Sequence, residues 1–292
     1  MKPEQWTIKS VLNWTQTYFK EKLVESPRLS AEVLLADTLG LERIDLYVQF
    51  DRPLEKQELS VFKAKLLRRA QHEPVAYITE KKSFWKSTFF VTPHVLIPRP
   101  ETELLLETAI THIQSVQRNM RIIELGVGSG AVITSLTKEL SEHIYLGTDC
   151  SFPAIQTAQQ NVRQIIGHNH GIQFVVSNWF RSLSKSNKFD LIISNPPYIP
   201  TQVLSKLQTE VSLFEPKMAL DGGQDGLIHI QTIIQQAGSY LSTNGVLLLE
   251  IGFDQRKAVE KYVAESINFE TVKILKDYAG HDRIAWISGA SQ

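Results

Sequence analysis

The 292-residue chain has a single cysteine, Cys150, and no long apolar run. One cysteine excludes an internal disulfide and a cysteine-rich zinc site, and we expect Cys150 to be a buried thiol at a strand end. No apolar stretch approaches the roughly 18 residues that span a bilayer, and the N-terminus lacks the apolar core of a secretion signal. The sequence therefore predicts a soluble, cytoplasmic protein with no membrane segment and no metal site.

The chain also lacks the basic excess with which proteins bind nucleic-acid phosphates. Its 31 lysines and arginines are balanced by 31 acidic residues, with a mildly basic front and a mildly acidic remainder. We therefore expect no nucleic-acid partner. Hydrophobic residues make up 42% of the chain, which is ordinary for a globular protein, and the length favours two domains.

Three regions differ in their residue periodicity. Residues 1–74 predict a small helical bundle, with a second helix capped by Ser30 and ending at Gly40, and a third over about 55–71. Residues 75–98 predict a β-hairpin linker with β segments near 75–78, 84–85 and 89–91. Residues 99–292 alternate strand and helix and predict an α/β domain with about seven strands.

A glycine-rich turn follows the first strand of the α/β domain. The turn consists of Gly126, Val127, Gly128, Ser129 and Gly130. Such a turn lets a ligand approach the backbone, and the acid that ends the next strand, Asp149, suits the hydroxyls of a ribose. Together they predict a cofactor that contains adenosine, with NAD and S-adenosylmethionine (SAM) as candidates. Trp179, after the third strand, is a candidate for contact with adenine, and core packing is the alternative.

The fourth strand, near 189–194, leads into Asn195, Pro196, Pro197 and Tyr198. In open α/β sheets ligands bind at the carboxyl ends of strands. The Asn195 side-chain oxygen and the Pro196 carbonyl can each accept one N–H of a planar NH2 group, and the Tyr198 ring can lie against that group. Beside an adenosine cofactor, this clamp indicates methyl transfer to nitrogen rather than hydride transfer. A proline-rich turn with an asparagine cap is the alternative.

Two further segments are candidates for function. Arg99 and Glu101 precede a helix, where they predict either a lid over a pocket or electrostatic stabilisation of the helix start. Residues 200–226 form a long connection, and connections of that length are commonly functional.

Six stretches make the chain resemble the bacterial release-factor glutamine methyltransferases (the HemK-type family) over nearly its whole length. They are VLIPRPETE from 95, ELGVGSG from 124, NPPYIP from 195, EPKMALDGGQDGL from 215, LLEIGFD from 248 and KDYAGHDRIAW from 276. The resemblance implies a helical domain, a hairpin and a seven-stranded, Rossmann-like SAM-dependent methyltransferase domain. It also implies methylation of N5 of the glutamine in the Gly-Gly-Gln motif of class-1 peptide chain release factors, which supports translation termination.

The resemblance assigns roles to the residues of both motifs. Gly126–Gly130, Asp149 and Trp179 look like contacts to SAM and its product S-adenosylhomocysteine. Asn195 looks like a contact to both cofactor and substrate, whereas Pro196, Pro197 and Tyr198 look like the glutamine clamp, with Asn195, Pro196 and Tyr198 in the catalytic role. The chain departs from the family pattern at Glu124, Val127 and Asn178.

Two other functions compete with this interpretation. An adenine N6 or guanine N2 methyltransferase would use the same clamp but should carry a basic recognition region. A non-catalytic protein on a methyltransferase scaffold should lose Asn195 or the glycine turn. We expect the helical domain to recognise the release factor, and the enzyme to be a monomer.

Overall fold

The computed structural model describes residues 5–168 and 171–289, which divide into two compact units. The first unit runs up to Lys81 and also contains Gln208–Phe214, a segment from the long connection. The second unit contains Lys82–Leu207 and the chain from Glu215 onward. No helix in the described part of the chain is both long and apolar enough to cross a membrane.

The first unit is helical. Its helices are α1 (Ile8–Glu21), α2 (Pro27–Leu39), α3 (Arg43–Val48), α4 (Lys56–Ala70) and α5 (Val75–Thr79). Helix α1 begins with a capping box, in which the Thr7 hydroxyl accepts the Ser10 N–H and the Ser10 hydroxyl accepts the Thr7 N–H. Apolar residues from α1, α2 and α4 form one core, which confirms the predicted bundle.

Two local predictions in this unit are wrong. Helix α2 begins at Pro27, so Ser30 lies inside it and caps nothing; proline suits the first helical turn because it has no N–H to leave unpaired. Residues 75–78 form α5 rather than a strand. This short helix buries Tyr77 and Ile78, so packing overrides the β preference of its valine, tyrosine and isoleucine.

The chain continues with a hairpin of β1 (Lys81–Phe84) and β2 (Ser87–Phe90) and then enters the α/β sheet. The remaining elements are α6 (Thr102–Ser115), β3 (Arg121–Leu125), α7 (Ala131–Glu139), β4 (Ile144–Asp149), α8 (Phe152–Ile165), β5 (Gln173–Val176), β6 (Phe189–Ser194), α9 (Thr209–Phe214), α10 (Ile228–Ala237), β7 (Leu241–Glu250), α11 (Arg256–Ala264), β8 (Thr271–Lys276) and β9 (Asp282–Ser288). Helix α9 belongs to the first unit.

Seven strands form one sheet in the order β5-β4-β3-β6-β7-β9-β8, which confirms the predicted strand number. Strands β3 to β7 pair in parallel, and β9 is antiparallel to both β7 and β8. Helix α10 ends at Ala237, and the long strand β7 follows from Leu241.

Both faces of the central strands are covered, as expected for a parallel sheet. Ile122, Leu191 and Leu248 point to a core shared with α6, α7 and α8. Their chain neighbours Ile123 and Ile192 point to the opposite core, which α10 and α11 cover. Because every residue of β6 is buried, the turn that follows it starts from a fixed position.

Candidate functional site

The carboxyl ends of four neighbouring parallel strands meet at one edge of the sheet. The glycine-rich turn follows β3, Asp149 ends β4, Trp179 comes soon after β5 and Asn195 follows β6. Because these strands pair in parallel, their carboxyl ends share one edge. A cavity of about 380 Å³ opens there, and residues from all four segments line it. This volume is typical of a small-molecule site.

The cavity includes most of the residues that the sequence predicts for the site. Those in its lining are Gly126, Val127, Gly128, Ser129, Asp149, Trp179, Asn195 and Pro197. Three others, Gly130, Pro196 and Tyr198, lie beside it without belonging to the lining that the described residues form. The predicted motifs therefore converge on one cavity, and part of the Asn-Pro-Pro-Tyr turn supports it from behind.

The glycine-rich turn adopts a backbone conformation with positive φ, which residues other than glycine rarely adopt. Gly126, Gly128 and Gly130 have φ values of 76°, 52° and 77°. A Cβ on Gly128 would meet nothing within 4 Å, whereas one on Gly130 would lie 2.9 Å from the Ala158 Cβ of α8. The turn thus offers bare backbone at Gly128 and packs tightly against a helix at Gly130.

Buried Asn161 of α8 holds this turn from behind. Its Nδ2 donates to the carbonyl oxygens of Ser129 and Phe90, each at 2.8 Å. Its Oδ1 accepts the Phe90 N–H at 2.7 Å. Both amide donors of Asn161 are therefore used, and they tie the turn to the end of β2.

The Asp149 carboxylate is oriented by two backbone donors. Oδ2 accepts the Gly128 N–H and Oδ1 accepts the Ser151 N–H, each at 2.9 Å. Burial raises the pKa of Asp149, against the opposing effect of these hydrogen bonds. Each oxygen keeps a further lone pair, so the carboxylate can accept two hydroxyl groups from a ligand in the cavity.

Trp179 contributes a flat apolar face. It has a φ of 52°, which is rare for a large side chain, and the Ser177 hydroxyl donates to its carbonyl at 2.8 Å. Its ring lies near Gly126, where an added Cβ would be 3.7 Å from Cζ3. The imidazole of His229 lies against the same ring, with 5.4 Å between centroids.

Asn195 has one end of its amide held and the other free. Its Nδ2 donates to the Thr102 hydroxyl at 3.0 Å. Within residues 5–168 and 171–289, no group donates to the Asn195 Oδ1 or to the Pro196 carbonyl oxygen. Two adjacent acceptors therefore remain available to a ligand that carries an NH2 group.

Tyr198 is fixed at both its side chain and its backbone. Its hydroxyl donates to Oε1 of Glu250 at 3.1 Å, and the buried Gln255 donates to its carbonyl at 3.1 Å. A Cβ on Gly226 would lie 2.4 Å from that carbonyl oxygen, so glycine is needed there to let the two backbones approach. The Asn-Pro-Pro-Tyr turn is thus rigid before any ligand binds.

Arg99 lines the cavity and is held by a buried acid. Its Nη2 lies 2.6 Å from Oε1 of Glu215, whose Oε2 accepts the Ile97 N–H at 3.1 Å. The cavity lining also includes Pro98, Pro216 and Met218. The segment before α6 and the end of the long connection therefore form one wall, which fits the lid interpretation for Arg99. Glu101 is exposed at the start of α6.

Two buried acids belong to the site region, Glu124 in the cavity lining and Glu250 behind the Asn-Pro-Pro-Tyr turn. Glu124 Oε2 accepts the Ile133 N–H at 2.8 Å, near the start of α7, and burial holds the pKa of Glu124 well above its usual range. Burial likewise raises the pKa of Glu250 to about 7. Both carboxyl groups lie at the carboxyl ends of sheet strands.

Cys150 lies at a strand end as predicted, directly after β4, but the prediction that it is buried is wrong, since the thiol is exposed. It follows Asp149, lines the cavity and lies 3.4 Å from the Met218 sulfur. Among the residues that the structure describes, no cluster of histidine, cysteine or acidic side chains has the size of a metal site.

Five residues that support the motifs from elsewhere in the chain were not predicted from the sequence. They are Thr102, Asn161, His229, Glu250 and Gln255. Three of them lie in or next to stretches that carry the family resemblance. Thr102 belongs to PRPETE, Glu250 belongs to LLEIGFD, and Gln255 directly follows LLEIGFD. Without the fold, nothing in these stretches indicated contact with the turn after β6.

Two protein-family models match the chain. The PrmC N-terminal domain matches residues 10–79, and the methyltransferase small domain matches residues 100–223. The first match covers most of the helical unit. The second contains the glycine-rich turn, Asp149 and the Asn-Pro-Pro-Tyr turn.

Curated relatives match almost end to end. A release factor glutamine methyltransferase of Geobacter sulfurreducens is 42% identical over 88% of this chain and 88% of its own length. Proteins of the same name from Leptospira interrogans and Chlorobaculum tepidum are each 37% identical, over 95% and 96% of this chain and 96% and 97% of their own lengths.

Solved structures share the fold at low sequence identity. The hMettl16 catalytic domain in complex with an RNA hairpin has a TM-score of 0.54 at 15% identity, covering 81% of this chain and 82% of that one. A methyltransferase from Pyrococcus furiosus has a TM-score of 0.50 at 18% identity, covering 78% and 96%. These similarities confirm the methyltransferase fold and carry no information on the substrate.

Proposed function

Because the chain belongs to the release factor glutamine methyltransferases, a family of SAM-dependent enzymes, we propose that it methylates N5 of the glutamine in the Gly-Gly-Gln motif of class-1 release factors. The observation that carries the proposal is the Asn195 amide. Thr102 holds its Nδ2, so that Oδ1 is left to accept from a substrate NH2 group at the edge of the cavity.

The residues of the cavity fit SAM. Gly128 presents backbone to which no side chain comes close, Asp149 keeps a lone pair on each oxygen for ribose hydroxyls, and Trp179 offers a face for adenine. Val127, Ser129 and the flanking glycines complete the cradle. Bound SAM supplies an electrophilic methyl group on a positively charged sulfur.

The Asn-Pro-Pro-Tyr turn holds the glutamine. Asn195 Oδ1 and the Pro196 carbonyl each accept one N–H of the side-chain amide, while Pro197 and the Tyr198 ring limit its movement. Fixed acceptors on both N–H groups also stabilise the positive charge that develops on nitrogen as the N–C bond forms and the bond from the methyl carbon to sulfur breaks. The methylated nitrogen then loses one N–H proton to water, and S-adenosylhomocysteine is the other product. Asn195, Pro196 and Tyr198 therefore act as the catalytic residues.

The helical unit recognises the release factor, because one glutamine is too small to specify a protein partner. On this proposal the domain boundaries are 1–74, 75–98 and 99–292, although by packing the first unit also includes Gln208–Phe214. The balanced charge of the chain favours a protein substrate over nucleic acid. The enzyme works as a monomer in the cytoplasm.

A methyl-transfer assay with labelled SAM tests this function. The substrates are a purified class-1 release factor, its Gly-Gly-Gln→Gly-Gly-Glu variant and duplex DNA, with the Asn195→Ala enzyme as control. We expect label on the wild-type factor alone, and no turnover by Asn195→Ala although it still binds SAM. Label on DNA, or equal label on the glutamate variant, would contradict the proposed substrate.

A further inference from the structure

A buried acid, Glu250, lies behind the Asn-Pro-Pro-Tyr turn and has no part in the reaction as described so far. It ends β7, next to β6 in the sheet, and has no exposed surface. Its Oε1 accepts the Tyr198 hydroxyl at 3.1 Å. Its Oε2 is buried and has no hydrogen-bond partner within residues 5–168 and 171–289. Burying a carboxyl group costs free energy unless its oxygens form hydrogen bonds, so a buried oxygen without a bond points to a role beyond packing.

The buried Thr102 hydroxyl bonds to Asn195 and also acts on the ionisation of this acid. It accepts the Asn195 Nδ2–H at 3.0 Å, and it interacts with the Glu250 carboxyl group in the sense that favours the ionised form. A hydroxyl group has a single proton to donate. When that proton points to Glu250, Thr102 can only accept from Asn195, so Nδ2 faces Thr102 and Oδ1 faces away.

We propose that Glu250 is a positioning residue that orients both ends of the Asn-Pro-Pro-Tyr turn, the Asn195 amide through Thr102 and the Tyr198 ring through its hydroxyl. The inference rests on the proposed function, because it concerns the same glutamine clamp. On this proposal an ionised Glu250 accepts the Tyr198 hydroxyl at Oε1 and offers Oε2 to the Thr102 proton, which fixes the direction of both hydrogen bonds. A protonated Glu250 has a proton of its own, so the Thr102 hydroxyl is released and the amide loses its fixed orientation.

The charged groups around Glu250 place this change near neutral pH. Burial raises the pKa of Glu250 to about 7, helped by the exposed Glu101, while the Thr102 and Tyr198 hydroxyls and Arg283 oppose the rise. Arg283 is itself paired with Asp277 at 3.1 Å. Because the ionised form is the one that orients the clamp, kcat should increase as the pH rises through about 7 and fall below it.

The test is the pH profile of kcat for release-factor methylation by the full-length enzyme and its variants. In the wild type we expect kcat to rise with pH along a limb whose midpoint lies at about 7. In Glu250→Gln we expect no such limb and a kcat roughly tenfold lower at alkaline pH, as for loss of one orienting hydrogen bond. The dissociation constant of SAM, measured by calorimetry, should not change because Glu250 does not line the cavity.

Two further comparisons separate positioning from a structural role. Glu101→Gln removes an exposed charge that raises the pKa of Glu250, so the midpoint should move to lower pH. Thr102→Val removes the connecting hydroxyl and should lower kcat as Glu250→Gln does. Thr108→Val is its matched control, since the hydroxyl of this buried threonine donates within the same helix, to the Leu104 carbonyl, and kcat should not change.

Each outcome decides the question. An unchanged limb in Glu250→Gln, an unmoved midpoint in Glu101→Gln, or an equal loss in Thr102→Val and Thr108→Val would overturn the positioning role while leaving the proposed function in place. A wild type that methylates no release factor would overturn both. Loss of the limb in Glu250→Gln together with normal SAM binding supports the role.

Discussion

Asp149 and Asn195 both have part of the side chain held by the protein and part directed to the cavity. Backbone N–H groups hold one lone pair on each Asp149 oxygen, and Thr102 holds the Asn195 Nδ2. Groups that are oriented before the ligand arrives lose little freedom when it binds. At the scale of residues, these groups are therefore preorganised in the way that the proposed adenosine and amide ligands require.

Replacing Asp149 should mainly weaken cofactor binding. Asp149→Asn keeps one acceptor oxygen but loses the charge and the second acceptor, so we expect the SAM dissociation constant to rise roughly 10- to 100-fold, as for hydrogen bonds to a charged group. Isothermal titration calorimetry gives the value directly. Asp225→Asn is the matched control, because Asp225 is exposed and likewise accepts a backbone N–H, from Leu227, so its substitution should have no effect. An unchanged dissociation constant in Asp149→Asn would argue against the ribose assignment.

At the scale of elements, the site depends on contacts between parts of the chain that are distant in sequence. Asn161 of α8 joins the glycine-rich turn to the end of β2, and its hydrogen bonds to Ser129 and Phe90 span 32 and 71 positions. An element that is held in this way cannot move without breaking several buried hydrogen bonds. We therefore expect Asn161 to determine both the stability of the turn and its fit to the cofactor.

Asn161→Leu tests this dependence. It removes the side chain that bonds to three backbone groups, the Ser129 carbonyl and the carbonyl and N–H of Phe90, so the free energy of unfolding should fall by about 2–4 kcal/mol and SAM binding should weaken. Denaturant unfolding and calorimetry measure the two effects. The neighbouring Gln160→Leu, at an exposed position on the same helix, should change the free energy of unfolding by less than about 0.5 kcal/mol. If both variants lose equal stability, the hydrogen bonds of Asn161 do not hold the turn.

The separation of contacting residues along the chain explains which parts of the site were predictable from the sequence. Asp149 and Asn195 follow strands with clear apolar runs, and parallel strands bring their carboxyl ends together, so local pattern and topology were sufficient. Thr102 and Glu250 reach the Asn-Pro-Pro-Tyr turn across 93 and 52 positions. Contacts of that span depend on the packing of finished elements, which a single sequence does not reveal. Residues 75–78 show the converse, because burial makes a helix of a β-favouring sequence.

At the scale of the whole molecule, the chain after Tyr198 passes from the second unit into the helical unit and back again. The connection after Tyr198 enters the helical unit at Gln208–Phe214 and leaves it at Glu215, the residue that holds Arg99 at the cavity wall. Within the helical unit, buried Arg69 forms an ion pair with Glu210 of this segment and donates to the Glu25 and Glu73 carbonyls. The unit that we propose as the reader of the partner thus also anchors the segment that follows the clamp.

Breaking this anchor should impair the use of the protein substrate more than the chemistry. In Glu210→Gln, Arg69 loses its carboxylate partner, and the loss of a partner destabilises a buried charge. We expect kcat/KM for an intact release factor to fall several-fold, roughly in line with the loss of one charge-assisted hydrogen bond. For a short peptide that contains Gly-Gly-Gln, kcat/KM should be low in the wild type and the same in the variant, because the peptide is too small to engage the helical unit.

Steady-state kinetics with both substrates give this comparison. Glu265→Gln is the matched control, because Glu265 is an exposed acid of the second unit. Its 3.8 Å ion pair with Lys261 contributes little to stability. The control should leave both values unchanged. Equal losses on the factor and the peptide in Glu210→Gln would mean that the segment acts on the cavity itself. A loss confined to the intact factor places its role in recognition, because the peptide reaches the same clamp without the rest of the partner.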